Sequence, residues 1–544
     1  MMPLHIVVVN FTRMGDLVQS GPLLRSLKRD RECRLTLIVY KLFRDVAERL
    51  PMVDSVIGFD VDRLVPRLDH NRGDLTAAYD QLTEFLRDAR LTQIDELHNL
   101  SHTPQSATLC ALMNPRRLYG MGRLPDGQLT VNGEWFNYLL SIMQDRTFNP
   151  FNLVEIYARF NPHGGPFGPL ELTVTEKDHR RAEELLRAAG VDSRCPFVVL
   201  QPGASCASRM WPKERFAELA ARLAQRGVRS VVVGSVAEKH LAENIATLSN
   251  GSAVSLAGQT DVGDLAAILK TALKLISNDT GTIHITAAVG TPAIGIYLGP
   301  AAAKDTAPFG DGHIIIEPDL KCAPCPYKSE CQTFICHHTV SVDHVFELAV
   351  ADRHEQKIVA ARCRGVRVLR TKVSASGRLD LELLNAPATG PNNLHLSFFS
   401  RFWDTLLNEG GTLGDSIGGF RHDIPAEWNN AVSRLSAVFS RAVESMSRFS
   451  NDVANGASEA RISNSLRKQV EWQNDLHSFI NEYPGLSSFP RYLLVRLSTA
   501  RTSDVAVYMA DLRDTLNYFH HGLSLLTCSE DFQKAGIPAD AAIA

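Results

Sequence analysis

The chain has 544 residues, more than one hydrophobic core supports, so two to four domains are expected. Hydrophobic residues make up 44% and charged residues 22%, an ordinary globular balance, and a formal charge of −3 removes any composition argument for wholesale nucleic-acid binding. No run approaches the length of about 18 apolar residues that a bilayer span requires, and ten cysteines are too few for a disulfide scaffold, which points to a cytosolic chain with reduced thiols.

The start, Met1-Met2-Pro3-Leu4-His5 before Ile6–Val9, reads as a buried first strand and not as a leader peptide. A helical pattern over Asp16–Arg29 follows, then Leu35–Val39 as a strand, a helix near Phe43–Leu50, a strand at Ser55–Phe59, a helix over Leu75–Arg90 and a strand at Gln93–Leu97. Val- and Ile-rich runs that are polar on neither face suit a parallel sheet covered by helices on both sides. Asn149–Leu170 carries Pro150, Pro162, Gly164, Gly165, Pro166, Gly168 and Pro169 and reads as a linker.

The rhythm then restarts. Strands are expected at Phe197–Leu200, Ser230–Val233, Leu273–Ser277 and Pro292–Tyr297, with helices over Pro212–Gln225, Ala237–Leu248, Asp261–Thr271 and Thr282–Val289. Two such sheets leave a cleft, and open α/β sheets bind ligands at the carboxyl ends of their strands. Val366–Val373 and Leu379–Leu384, joined by Ser374-Ala375-Ser376-Gly377, form a hairpin pattern. From Leu394 the pattern is amphipathic helix, with a stripe through Leu435, Val438, Phe439, Val443 and Met446. The expected division is therefore 1–160, 167–350, a hairpin and linker over 365–392, and a helical extension of 394–544.

Three stretches carry chemistry. Ser277-Asn278-Asp279-Thr280-Gly281-Thr282-Ile283-His284 leaves a strand and enters a helix, so the amides around Gly281 suit an anion. His284, one turn on, could donate to a diphosphate; the alternative is that Asp279 or Thr280 merely caps the helix and His284 packs. Gln201-Pro202-Gly203-Ala204-Ser205, then Arg209-Met210-Trp211-Pro212, follows another strand. Arg209 could clamp phosphate oxygens with Gly203 and Ser205 as donors, or be a surface Arg beside a helix start. Asn10 to Asp16 follows the first strand, where Asp16 could take a proton from an attacking hydroxyl or simply favour the helix dipole. Asp60-x-Asp62 reads as the polar end of a strand and not as a metal motif.

Taken in order, Gly15-Asp16, Pro-Gly-Ala-Ser with Arg-x-Trp-Pro, and Asn-Asp-Thr-Gly-x-x-His-x-x-Ala-Ala-x-Gly-Thr-Pro resemble glycosyltransferase family 9, the ADP-heptose:lipopolysaccharide heptosyltransferases, over roughly residues 4–350. The resemblance implies a GT-B fold of two Rossmann-like domains, acceptor side first and nucleotide-sugar side second. It implies inverting transfer from an ADP-heptose-like donor with no required cofactor. On it, Asp16 is the general base, and Gly203, Ser205, Arg209, Glu238, Asp279, Thr280, Gly281 and His284 hold the donor. Arg209 stands where relatives usually carry Lys, which keeps the charge and changes the geometry.

The acceptor so implied is lipopolysaccharide core or a related surface glycan, reached by a cytoplasmic protein at the inner membrane face, with peripheral contact through a helix such as Phe43–Leu50. Two other readings remain: transfer to a protein acceptor, and a helical extension that serves interaction or self-association, or whose helices simply pack on one another. Cys322-x-x-Cys325, Cys331 and Cys336 have the spacing of a structural zinc or iron site; the alternatives are a reduced loop or a local disulfide. The remaining cysteines, Cys528 among them, read as packing residues.

Overall fold

The computed structural model describes residues 3–29, 31–61, 74–88, 91, 93–143, 146, 149–165, 167–326, 331–385, 400, 403–404, 407, 428–455, 457–483, 487–498, 512–517 and 519. Asp62, Pro166, Cys528, the 386–392 end of the expected linker and much of the helical extension lie outside them. The chain divides into two compact units: Met1–Ser101, Leu112–Leu118 and Phe151–Ala388 form the first, and His102–Ala111, Tyr119–Pro150 and Thr389–Ala544 the second.

The first unit holds two parallel α/β sheets. In one, β1 (Leu4–Asn10), β2 (Cys33–Tyr40), β3 (Ser55–Phe59) and β4 (Glu96–Asn99) lie in the order β3-β2-β1-β4. Ile6 to Val9 are fully buried because β1 is sandwiched between β2 and β4 and covered on both faces, as its continuous apolar run requires. The chain leaves β1 in one direction towards β2 and β3 and returns on its other side as β4. The strand order therefore reverses between β1 and β4, and the loops after these strands border the crevice this creates.

The other sheet contains β7 (Phe197–Gln201), β8 (Arg229–Val232), β9 (Ala253–Ser255), β10 (Leu275–Asn278), β11 (Ala293–Ile296), β12 (Ile314–Pro318), β13 (Val366–Val373) and β14 (Leu379–Leu383), ordered β14-β13-β12-β11-β10-β7-β8-β9. Its reversal falls between β10 and β7. The expected hairpin is β13–β14, and it extends this sheet antiparallel to β12, Ile316 opposite Val368.

The second unit contains β5 (Arg117–Arg123) from Tyr119 onward, paired antiparallel with β6 (Leu129–Asn132), the helix Glu134–Ile142, and the long helices Trp428–Ala454, Glu459–Glu482 and Ser488–Ser498. The Trp403 ring gathers Tyr138 at 4.9 Å, Tyr492 at 5.4 Å, Phe489 at 5.6 Å and Phe519 at 5.9 Å between centroids. Glu134 accepts from Tyr492 and, at 2.6 Å, from Arg496. Leu435, Val438, Phe439 and Met446 are buried in this unit, so the stripe is used in packing within the chain.

Several elements depart from their expected bounds. The Asp16–Arg29 helix is two, Met14–Gln19 and Gly21–Lys28, because Pro22 has no N–H with which to continue the first. The 149–170 segment is not all linker: Leu153–Ala158 is helical, with Asn152 capping Val154 N at 3.1 Å. β4 begins at Glu96, after Gln93 has taken a left-handed φ of 54° that a strand does not use. Among the described residues no helix is long and apolar enough to cross a membrane.

Candidate functional site

On the first sheet, the loop leaving β1 is stitched to the loop leaving β4. Phe11 N donates to Ser101 Oγ at 2.8 Å, Ser101 N donates to Asn99 Oδ1 at 3.0 Å, and the fully buried Asn10 accepts from Thr12 N at 3.2 Å. The loop then turns into the Met14–Gln19 helix, where Asp16 is half-buried and accepts from Arg13 N at 3.2 Å through Oδ2. Asp16 thus does cap its helix, and it does so at the reversal of strand order.

On the second sheet, the loops after β7 and β10 are tied by Asn278, the last residue of β10. Its amide donates to Pro202 O at 2.7 Å and accepts from Trp211 N at 3.1 Å. Asp279 is 7% exposed and receives Thr306 Oγ1 at 3.1 Å and Arg209 Nη1 at 3.4 Å. Arg209 is itself only 6% exposed. Tyr297 holds the other side of Thr306, donating to its carbonyl at 2.7 Å. Thr280 is the N-cap of the Gly281–Ala288 helix, and its hydroxyl lies 3.3 Å from Ser277 Oγ.

Glu238 folds back over Gly203. Its Oε2 accepts from Ser235 N at 2.7 Å and from Ser235 Oγ at 2.9 Å, and its Oε1 lies 3.4 Å from Gln201 Nε2. A Cβ on Gly203 would fall 1.4 Å from Glu238 Oε1, so only glycine admits the carboxylate here. Ser205 is exposed on the same loop.

The two halves meet through glycine. A Cβ on Gly15 would stand 3.0 Å from His284 Cδ2 and 3.1 Å from Gly281 Cα; one on Gly281 would stand 2.8 Å from Met14 Cε and 3.2 Å from Gly15 N. The Met14–Gln19 and Gly281–Ala288 helices therefore start against each other, and each follows the carboxyl end of a strand at which its sheet reverses. Asp16, the residue after Gly15, is brought beside the Asp279–Gly281 turn from 263 positions away in sequence (279 − 16). Behind this contact His284 is 4% exposed, and burial, with His313 adding to it, pushes its ring down to about 3, so it is neutral at physiological pH.

Residues 161–333 match the profile described as Glycosyltransferase family 9 (heptosyltransferase). Over this stretch the chain is similar to glycosyltransferase family 9. Lipopolysaccharide heptosyltransferase 1 of Pseudomonas aeruginosa is 32% identical over 147 residues, covering 26% of this chain and 39% of that relative. Lipopolysaccharide heptosyltransferase 2 of Salmonella typhimurium is 28% identical over 320 residues, 56% of this chain and 86% of its own length. The solved structure of Escherichia coli ADP-heptose lipopolysaccharide heptosyltransferase II aligns with a TM-score of 0.47 at 18% identity, over 63% of this chain and 97% of that one. The chain spans only 39% to 44% of the length of the Pseudomonas relative and of three from Haemophilus.

Three of the metal-candidate cysteines sit in or just past the matched stretch, around one recess. Cys325, Cys331 and Cys336 line it with Ser208, Gly299 and Phe334, while Cys322 is exposed. Among the described residues no three His, Cys, Asp or Glu groups gather closely enough to hold a metal ion. The four thiols thus do not assemble into a ligand set. Phe334 N donates to Cys331 Sγ at 3.4 Å, and such backbone bonds draw that thiol's pKa down, whereas Cys336 is buried in the core and burial pushes its own up. Asn278, Thr306 and Tyr297 also hold the Asp279 turn in place, without having been singled out for a role. Thr306 lies 27 positions beyond Asp279, and only the passage through β11 brings it back.

Proposed function

We propose that this chain is an inverting glycosyltransferase that moves a heptose, or a related sugar, from an ADP-sugar to lipopolysaccharide core or a related surface glycan. Residues 1–160 serve the acceptor and 167–350 the donor. The observation that supports the reading is the Gly15–Gly281 contact, which brings the first turn of the helix carrying Asp16 against the start of the Gly281–Ala288 helix. In this reading Asp16 accepts the proton of the attacking hydroxyl while the sugar's bond to the diphosphate breaks on the opposite face. One displacement inverts the anomeric centre. The charge left on the diphosphate meets the amides of Thr280 and Gly281 and the Arg209 guanidinium, fixed dipoles and charge that need not reorganise during the step. Asp279 orients Arg209, and Gly203, Ser205 and Glu238 face the nucleoside. No cofactor beyond the nucleotide sugar takes part.

The reaction belongs to the cytoplasmic face of the inner membrane, where such an acceptor is held, and peripheral contact there suits it. The test is ADP release by the purified protein given ADP-heptose and a core acceptor. Asp16→Asn should lower turnover by roughly 10²–10⁴-fold, the range for a lost general base. Unchanged turnover would remove Asp16 from its role. Thermal shift with ADP-, UDP-, GDP- and dTDP-sugars identifies the nucleotide: the cognate donor stabilises by about 2.7 kcal/mol at a hundredfold excess over its Kd.

A second reading, transfer to a protein acceptor, is favoured by one observation. The helical extension forms a compact unit with Tyr119–Pro150, a segment of the proposed acceptor half. Intact-mass measurement of co-expressed candidate acceptors separates the two readings.

A further inference from the structure

His284 stands in the donor motif, yet its surroundings fit another task. It is almost wholly buried one turn into the Gly281–Ala288 helix, and its Nδ1 has no hydrogen-bond partner among the described residues. The ring edge bearing Cδ2 lies where Gly15 would carry a Cβ. The ring is only 4% exposed, and a neutral one brings no charge to a diphosphate. What it does touch is the first turn of the helix that carries Asp16.

We infer that His284 is a positioning residue for Asp16 and not a ligand of the donor: its ring fills the seam beneath Gly15 and sets how closely the Met14–Gln19 helix approaches the Asp279–Gly281 turn. The inference rests on the proposed role of Asp16. It explains why both sides of the seam are glycine. With the ring in place a methyl on Gly15 has only 3.0 Å to His284 Cδ2, so the approach is limited by the ring edge and leaves no room for a side chain.

The two roles separate in substituted proteins. His284→Phe keeps a planar ring and removes every ring donor; His284→Ala removes both; His284→Asn keeps a donor and loses the bulk. Positioning by packing predicts that ADP affinity, read by calorimetry, stays within about twofold of the parent in all three. It also predicts that kcat falls at least about tenfold in His284→Ala and His284→Asn and is largely retained in His284→Phe, since a misplacement of about 1 Å can cost 10²-fold. Donor ligation predicts the reverse: ADP affinity lost in His284→Phe and His284→Ala, and kcat kept best by His284→Asn. That pattern would overturn the inference.

Gly15→Ala reads the same contact from the other side, so the question survives if the Phe variant does not fold. It should lower kcat with ADP affinity intact, and a loss of ADP affinity equal to its loss of kcat would count against the inference. Hydrogen exchange gives a readout that needs no turnover. Amides of residues 13–19 should exchange faster in His284→Ala than in the parent, and unchanged exchange there would also overturn it. If the parent itself releases no ADP, the functional reading fails, while exchange and ADP affinity still decide what His284 does.

Discussion

Arg209 and Asp279 show how much a single pair can decide. Arg209 is nearly buried, and its guanidinium is aimed by the Asp279 carboxylate, which Thr306 holds from the other side. Arg209→Ala should weaken ADP binding by roughly 10- to 100-fold, the loss of a charge-assisted hydrogen bond worth about 1.5–3 kcal/mol. Arg209→Lys should recover part of that, since the charge remains and the two-pronged geometry does not; calorimetry with ADP measures both. The strand-to-helix turn at Asp279, Thr280 and Gly281 was legible in sequence, whereas local pattern left open whether it holds an anion or only caps the helix. Thr306 was not legible, because no local pattern marks a residue that reaches its partner only after another strand and loop. Glu238 was legible only through family resemblance, and its reach over Gly203 is a tertiary fact.

At the scale of elements, a short helix that follows β2 ties the two sheets together. Arg44–Glu48, on the first sheet, ties to the helices of the second: Asp45 accepts from Val262 N at 3.0 Å, and Arg49 grips Asp178 through two nitrogens, at 2.8 and 3.2 Å. Burial pushes the Asp178 carboxyl up, but hydrogen bonds from Arg49 and Thr175 outweigh this and hold it at about 2. A carboxyl whose folded pKa is depressed contributes stability above its unfolded pKa of about 3.9, and that contribution is lost as pH falls through the folded value. The melting temperatures of the parent and Asp178→Asn should therefore differ at pH 7 and converge between about pH 4 and pH 2. A gap independent of pH would mean that the pair does not act through its charge. The two-sheet rhythm was readable from apolar runs, whereas the break at Pro22 and the helix inside the Pro- and Gly-rich 149–170 segment needed local geometry.

At the scale of the molecule, the helical extension completes a unit begun within the first 150 residues. Tyr138, on the Glu134–Ile142 helix, packs on Trp403, and Glu134 is bound by Tyr492 and Arg496. Deleting residues 389–544 leaves that aromatic face uncovered. The truncated protein should bind a hydrophobic dye more strongly, melt lower and scatter as larger species; an unchanged melting temperature and mass would show that the 119–150 segment stands without the extension. Cutting at 365 is a poorer test, because β13 and β14 belong to the second sheet and their loss exposes the edge of β12.

The sequence by itself determined the fold class, since buried parallel strands must be apolar on both faces, and it determined the turn from β10 into the Gly281–Ala288 helix, since a glycine-bearing helix start needs particular residues within a few positions of each other. Tertiary structure alone decided that Gly15 meets Gly281, that Thr306 holds Asp279, that His284 lies under the Asp16 helix and that the extension joins Tyr119–Pro150. Each of these depends on the distance between segments far apart in the chain, and the pattern within any one segment carries no record of that distance.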